Sequence, residues 1–292
     1  MLCDAHCHPF DLAECFPSAE EERRRLGVLC AASATAPDEF EYCMELSRLA
    51  KENDAAPLLP CFAIHPQLPA NVISQRRKDA KSYASSANSS LLSAPQRLCE
   101  SHFEESLELL ETLAVQGRLA AVGETGFDLY NAAFRETEKL QDKLFTAHLE
   151  TALRHDLPLV IHARRAMHKI FSNTPALKKC RSVIFHSWPG TAGEGEALIR
   201  RGINAFFSFG TTIMLNHREA MRCCAVFPSE RLLTETDAPF QPLRGREYSA
   251  YGDIAQITET MALLRREAGT KGSAAGEIES IVEANFCAAF GI

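Results

Sequence analysis

No stretch of about 20 apolar residues, the length a membrane-spanning helix needs, occurs anywhere in the chain. Nor does a basic segment lead into a shorter apolar run near residue 1, as a secretion signal would require. The expectation is an intracellular protein, cytoplasmic or, in a eukaryote, nuclear, with no membrane partner and no obligate protein partner. The cysteines number 11, are scattered, and include no C-x-x-C pair, which argues against both a disulfide framework and a zinc ribbon. Cys3 and Cys7 are read as packing residues. Positive charge is also scarce. Lys and Arg total 31 against 38 Asp and Glu, a net charge of -7, so the surface as a whole repels nucleic acid. Any polyanion must be held locally, and bound divalent cations would do that.

What is present is a large apolar complement, 46% of residues with 24% charged, ordinary for a globular protein. Apolar runs of strand length recur at 1–3, 27–32, 57–64, 118–122, 157–161, 182–185, 204–209 and 231–234. Between them lies helical periodicity, clearest from Phe134 to Arg154, where Leu140, Leu144 and Ala147 share a face. Pro37-Asp38-Glu39 opens another helix, and the chain from Tyr251 onward reads as helical with a break around Gly269 to Gly276. Strands alternating with helices imply a parallel sheet, and eight repeats imply closure. The expected fold class is α/β, a (β/α)8 TIM-type barrel forming a single domain over residues 1–292, with its site at the C-terminal mouth. Residues 75–97 break the rhythm. They carry Arg76-Arg77-Lys78 and a Ser-rich run, and are expected to form a loop insertion on the rim, either solvated or touching a phosphate backbone.

The first residues include Asp4-Ala5-His6-Cys7-His8. In a strand, side chains alternate, so His6 and His8 would share a face with Asp4 and could share one cation. An H-x-H pair alone is equally a polar strand end. Four other apolar runs, however, lead into Glu124, His162, His186 and Asp237. In a (β/α)8 barrel such positions converge at one mouth. A single strand-end histidine is commonly structural; four such residues together with H-x-H point to a metal centre. His102, His148, His155, His168 and His217 fall in helices or loops and are assigned no role.

The motifs D-A-H-C-H, G-E-T-G-F-D at 123–128, I-H-A-R at 161–164, H-S-W-P-G at 186–190 and E-T-D-A-P at 235–239 resemble those of the TatD-type metal-dependent deoxyribonucleases, a branch of the amidohydrolase-like barrels. The sequence departs from the family pattern at Ala63, at Trp188-Pro189 and at Tyr248 to Tyr251, without loss of a ligand. The resemblance implies two divalent metal ions, with His6, His8 and Asp237 holding one, His162 and His186 the other, and Glu124 bridging. A carboxylate has two oxygens and suits that bridge. Asp237 and Glu124 are the expected catalytic residues, Asp237 as general base for a water acidified by the cations. Zinc, magnesium and manganese all suit such a donor set. His65, which precedes Pro66, is implied near the scissile group. Asp128 would orient water or a ligand, or cap its loop. Arg164 would take a phosphate, or form a surface ion pair. Trp188 would stack on a nucleobase, or pack in the core.

The activity expected is hydrolysis of DNA phosphodiester bonds, with single-stranded DNA among the substrates. Alternatives are a metal-dependent amide or ester hydrolase, for example aminoacyl deacylation, on the same barrel, and a non-catalytic metal-binding barrel. A PHP-type phosphoesterase also begins with H-x-H, but the chain has no second H-x-H and no terminal D-x-H.

Overall fold

The computed structural model describes residues 1–75, 95–270 and 274–292. Eight parallel strands lie in sequential order, β1 Cys3–Cys7, β2 Leu29–Ala34, β3 Leu58–Phe62, β4 Ala121–Asp128, β5 Leu159–Arg164, β6 Val183–Phe185, β7 Ala205–Phe209 and β8 Leu232–Thr234. Helices follow most strands, which gives the expected (β/α)8 barrel. The strands read as near-continuous apolar runs because parallel strands of this kind are covered on both faces. The core is filled by Phe62, Phe127, Phe185, Phe207 and Phe209, all fully buried. The helices Pro37–Glu52, Glu138–Arg154, Asp253–Glu267 and Ala275–Phe290 lie where the periodicity placed them.

At the seam between β8 and β1, Asp4 ties β1 to the segment after β8. Its buried carboxylate accepts hydrogen bonds from the Thr236 backbone N–H at 2.9 Å and hydroxyl at 2.6 Å, while Asp237 N–H donates to the His6 carbonyl at 2.9 Å and His8 N–H to the Ala238 carbonyl at 2.7 Å. Burial pushes the Asp4 carboxyl up to about 7 despite those donors. Asp4, expected on the same strand face as His6 and His8, is engaged by Thr236 instead. In β1 the register shifts between Asp4 and Cys7, with Ala5 and His6 opposing Ala31 alone on β2, and this bulge ends strict alternation.

Two further differences concern boundaries. Apolar runs are expected to stop before Glu124 and His162, yet β4 and β5 continue through them, as β1 does through His6. Ladder hydrogen bonds use the backbone and are indifferent to a polar side chain facing the mouth. Most of the insertion expected at 75–97, with the Arg76-Arg77-Lys78 cluster, lies outside the described residues; Pro95–Val115 is a helix. No helix among the described residues is long and apolar enough to cross a membrane.

Candidate metal centre

Glu124 occupies the middle of the mouth because β4 is bulged. Between Val122 and Thr125 the strand carries one residue more than β5 opposite, which re-aims the intervening side chain. Gly126 makes the close passage possible: its φ is +136°, and a Cβ there would stand 2.0 Å from the His162 carbonyl oxygen.

The two Glu124 oxygens face different histidines. Oε2 lies 3.1 Å from His6 Nε2 and 3.7 Å from His8 Nε2. Oε1 lies 2.7 Å from His162 Nδ1, 3.2 Å from His186 Nε2 and 3.3 Å from His65 Nε2. Asp237 closes the first group, its Oδ1 3.6 Å from His6 Nε2 and 3.5 Å from His8 Nε2, with Gln241 donating to Oδ2 at 2.6 Å. Among the described residues, donor atoms within 4.8 Å of one another form three sets, His6/His186/Asp237, His6/His8/Glu124 and His65/Glu124/His162. His186 thus sits between the two expected sites, its ring 4.0 Å from that of His6 and 5.7 Å from that of His162.

This donor set fits divalent metal. The His6 and His8 Nε2 atoms are 3.1 Å apart in a buried setting, where two imidazole lone pairs need a shared proton or cation between them. Electrostatics carries the same mark. Burial would raise the Glu124 carboxyl, but His65, His186 and His6 beside it hold it well below the usual carboxylate range. Burial likewise opposes charge on His186, yet Glu235, Glu124 and Asp237 push its imidazole well above the ordinary value. Asp237, raised by burial but pulled down by His186 and His8, comes to about 2.

Outer partners fix the rings. His6 Nδ1 faces the Ser33 hydroxyl at 3.2 Å, His186 Nδ1 faces Glu235 Oε2 at 3.3 Å, and His162 Nε2 faces Asp128 Oδ2 at 3.2 Å. Such contacts select the tautomer and orient the inward nitrogen. His65 differs. Its Nδ1 accepts the Gln67 N–H at 3.2 Å, so in a neutral ring the proton sits on Nε2, which makes that nitrogen a donor toward the centre. Sequence reasoning missed Ser33, Gln67, Glu235 and Gln241. Only Glu235 left a signal, an acid two residues before Asp237 in an apolar strand end. Cys3 and Cys7 are buried and belong to none of the donor sets.

His8, His65, Glu124, His162, His186 and Asp237 line a cleft of about 780 Å³ that also takes in Arg164, Gln67, Phe240 and Gln241. Asp128 is buried, held by Gln67 Nε2 at 2.8 Å and by Tyr130 N–H at 2.9 Å. Arg164 is exposed, its guanidinium 3.7 Å from the Tyr130 ring centroid. Trp188 requires a correction. It borders the cleft, yet it is 4% exposed, and Phe185 and Phe207 pack edge-on against it at 5.4 and 4.7 Å, so no free face is offered to a base. The exposed aromatic in the cleft is Phe240, 48% accessible and in edge contact with His8.

A family model described as TatD related DNase matches residues 3–291. The 3'-5' ssDNA/RNA exonuclease TatD of Shigella flexneri is 29% identical over 189 residues, covering 63% of this chain and 71% of that protein. The uncharacterized metal-dependent hydrolase YjjV of Escherichia coli is 29% identical over 177 residues, 58% of this chain and 66% of that one. The crystal structure of Escherichia coli YjjV superposes with a TM-score of 0.75 at 24% identity, covering 100% and 98% of the two chains. An uncharacterized amidohydrolase from Saccharomyces cerevisiae gives 0.72 at 14%, covering 98% of each, a likeness of fold. With a family match that spans nearly the whole sequence, this chain belongs to the TatD related DNase family and is a metal-dependent hydrolase.

Proposed function

We propose that the protein, acting as one domain over residues 1–292, is an intracellular nuclease that cuts single-stranded nucleic acid, DNA foremost, at a centre holding two divalent ions. The observation that carries this reading is Glu124, whose two oxygens face separate histidine groups at the cleft floor. His6, His8 and Asp237 would hold one ion, His162 and His186 the other, and Glu124 both. Zinc, magnesium and manganese remain the metals to test. When bound, the cations would offset phosphate charge and acidify the attacking water.

The chain's own residues do the rest. Asp237 keeps Oδ2 on Gln241 and turns Oδ1 to the cluster, so Oδ1 is the oxygen that would take the water proton. His65 offers Nε2–H to a substrate oxygen because Gln67 engages its Nδ1. Asp128 holds the His162 ring. Arg164, laid on Tyr130, presents a planar donor edge suited to a phosphate. Phe240 supplies the face for a base that Trp188 does not. The relative from Shigella flexneri, named a 3'-5' ssDNA/RNA exonuclease, supports the single-stranded substrate and suggests the polarity. The amide or ester alternative has no observation of its own.

The test uses single-stranded oligonucleotides labelled at either end, a metal titration and a chelator control. Metal-restored shortening from the 3' end is expected. Full activity with metal sites proven empty, or cleavage of aminoacyl esters but of no oligonucleotide under any metal, would defeat this function.

A further inference from the structure

Beside the cleft two consecutive arginines converge on one tyrosine. In a strand Arg164 and Arg165 would face opposite sides, but Arg165 has a φ of +55°, a left-handed turn that breaks the alternation where β5 ends. Both guanidiniums therefore meet Tyr130, at 3.7 and 4.6 Å from its centroid. The backbone under the ring is pinned as well. Arg135 donates to the Leu129 and Tyr130 carbonyls at 3.2 and 3.3 Å, and Tyr130 N–H is tied to Asp128. Tyr130, Arg164 and Arg165 are exposed, and neither Arg164 nor Arg165 has a carboxylate partner among the described residues, in a protein of net charge -7. A pair of like charges is costly to hold together unless something fixes them; here the electron-rich ring does so, and an anion would complete the neutralisation.

We propose that Arg165, positioned by Tyr130, forms a second phosphate subsite next to Arg164, taking the neighbouring phosphate of the strand whose bond is cut. This rests on the nuclease reading and extends it, since the preferred substrate becomes an oligonucleotide strand rather than a lone phosphodiester. The guanidiniums stand no further apart than their two centroid distances together, within reach of adjacent phosphates of one strand. Arg165 is the positional determinant; Tyr130 acts through the two arginines.

The test is binding of a fluorescein-labelled phosphorothioate 12-mer of thymidylate, resistant to cutting, to the metal-loaded protein, read by anisotropy against salt, with the dinucleotide TpT, likewise a phosphorothioate, as competitor. Arg165→Gln is expected to weaken 12-mer binding about tenfold, the loss of one charge-assisted contact. Its salt slope should fall by about 0.7. Tyr130→Leu should weaken the 12-mer with less change of slope, because the charges remain. The loss should be several-fold larger for the 12-mer than for TpT. Arg200→Gln, a surface arginine paired with Glu196, serves as the charge control and should bind as wild type does. Circular dichroism checks folding. Absence of binding by the wild type, an unchanged affinity and slope in Arg165→Gln, or equal losses for TpT and the 12-mer would each overturn the subsite. Hydrolysis is measured separately with metal, so a wild type that binds the 12-mer but cuts no strand sinks the nuclease reading and leaves the subsite standing.

Discussion

His148 lies in the helix behind the mouth, fully buried, and ties two site-bearing segments together. Its Nε2 accepts the Ile64 N–H at 3.1 Å, so the neutral ring carries its proton on Nδ1 and donates to the Thr125 hydroxyl at 2.8 Å. Ile64 precedes His65 and Thr125 follows Glu124. Replacing His148 by Leu leaves a buried N–H without its acceptor, at about 1–3 kcal/mol, and the hydroxyl without its donor. Burial lowers the His148 pKa to about 3, against about 6.5 in an unfolded chain. The unfolded state therefore binds a proton in acid that the folded state does not. The stabilisation is whole above about pH 6.5 and drains as pH falls toward 3, by on the order of 1.4 kcal/mol per pH unit. Between pH 7 and pH 5 the advantage of wild type over His148→Leu should shrink by about 2 kcal/mol. Urea unfolding of both proteins in EDTA measures it. A gap that stays constant between these pH values would refute the assignment of a neutral, tautomer-fixed histidine.

Gly126→Ala should cost the fold several kcal/mol, since the new methyl meets the His162 carbonyl at 2.0 Å in backbone rather than in a side chain that could swing away; a melting temperature equal to wild type contradicts this. Glu235→Gln removes the charge beside His186 Nδ1 and should weaken metal binding about 10–100-fold without unfolding the barrel; an unchanged titration isotherm sinks that role. Phe240→Leu should raise the KM for single-stranded DNA, stacking being worth about 1–3 kcal/mol per base, while Trp188→Phe should act mainly on stability. The reverse pattern would restore Trp188 as the stacking residue.

Much of this was legible in the sequence for physical reasons. Buried parallel strands have to be apolar, so all eight appear as runs, and a polar residue that interrupts or follows such a run, as Glu124, His162, His186 and Asp237 do, stands out. The bulges of β1 and β4 were not legible, because one extra backbone residue leaves no compositional trace beyond Gly123 and Gly126. That is why strict alternation puts Asp4 on the same face as His6 and His8, although its carboxylate joins β1 to the segment after β8. Ser33 and His148 were hidden for another reason: their partners lie 27 and 84 residues away, and nothing local marks a serine or a helical histidine as one that fixes another residue's geometry. Nor could the sequence separate Trp188 from Phe240, since an aromatic near a ligand can turn inward or outward with equal local sequence.

The central claim is that Glu124 joins two metal positions, and metal content measured on purified variants tests it most directly. Glu124→Ala removes Oε1 and Oε2 together, so both histidine groups lose their shared anion, and two cations bound there would lose the charge that offsets their repulsion. His162→Ala removes one donor and leaves His6, His8, Glu124 and Asp237 in place. Elemental analysis, with circular dichroism confirming folded protein, should find less total metal in Glu124→Ala than in His162→Ala. Two ions per chain retained by Glu124→Ala would contradict the bridge and the division of ligands built on it.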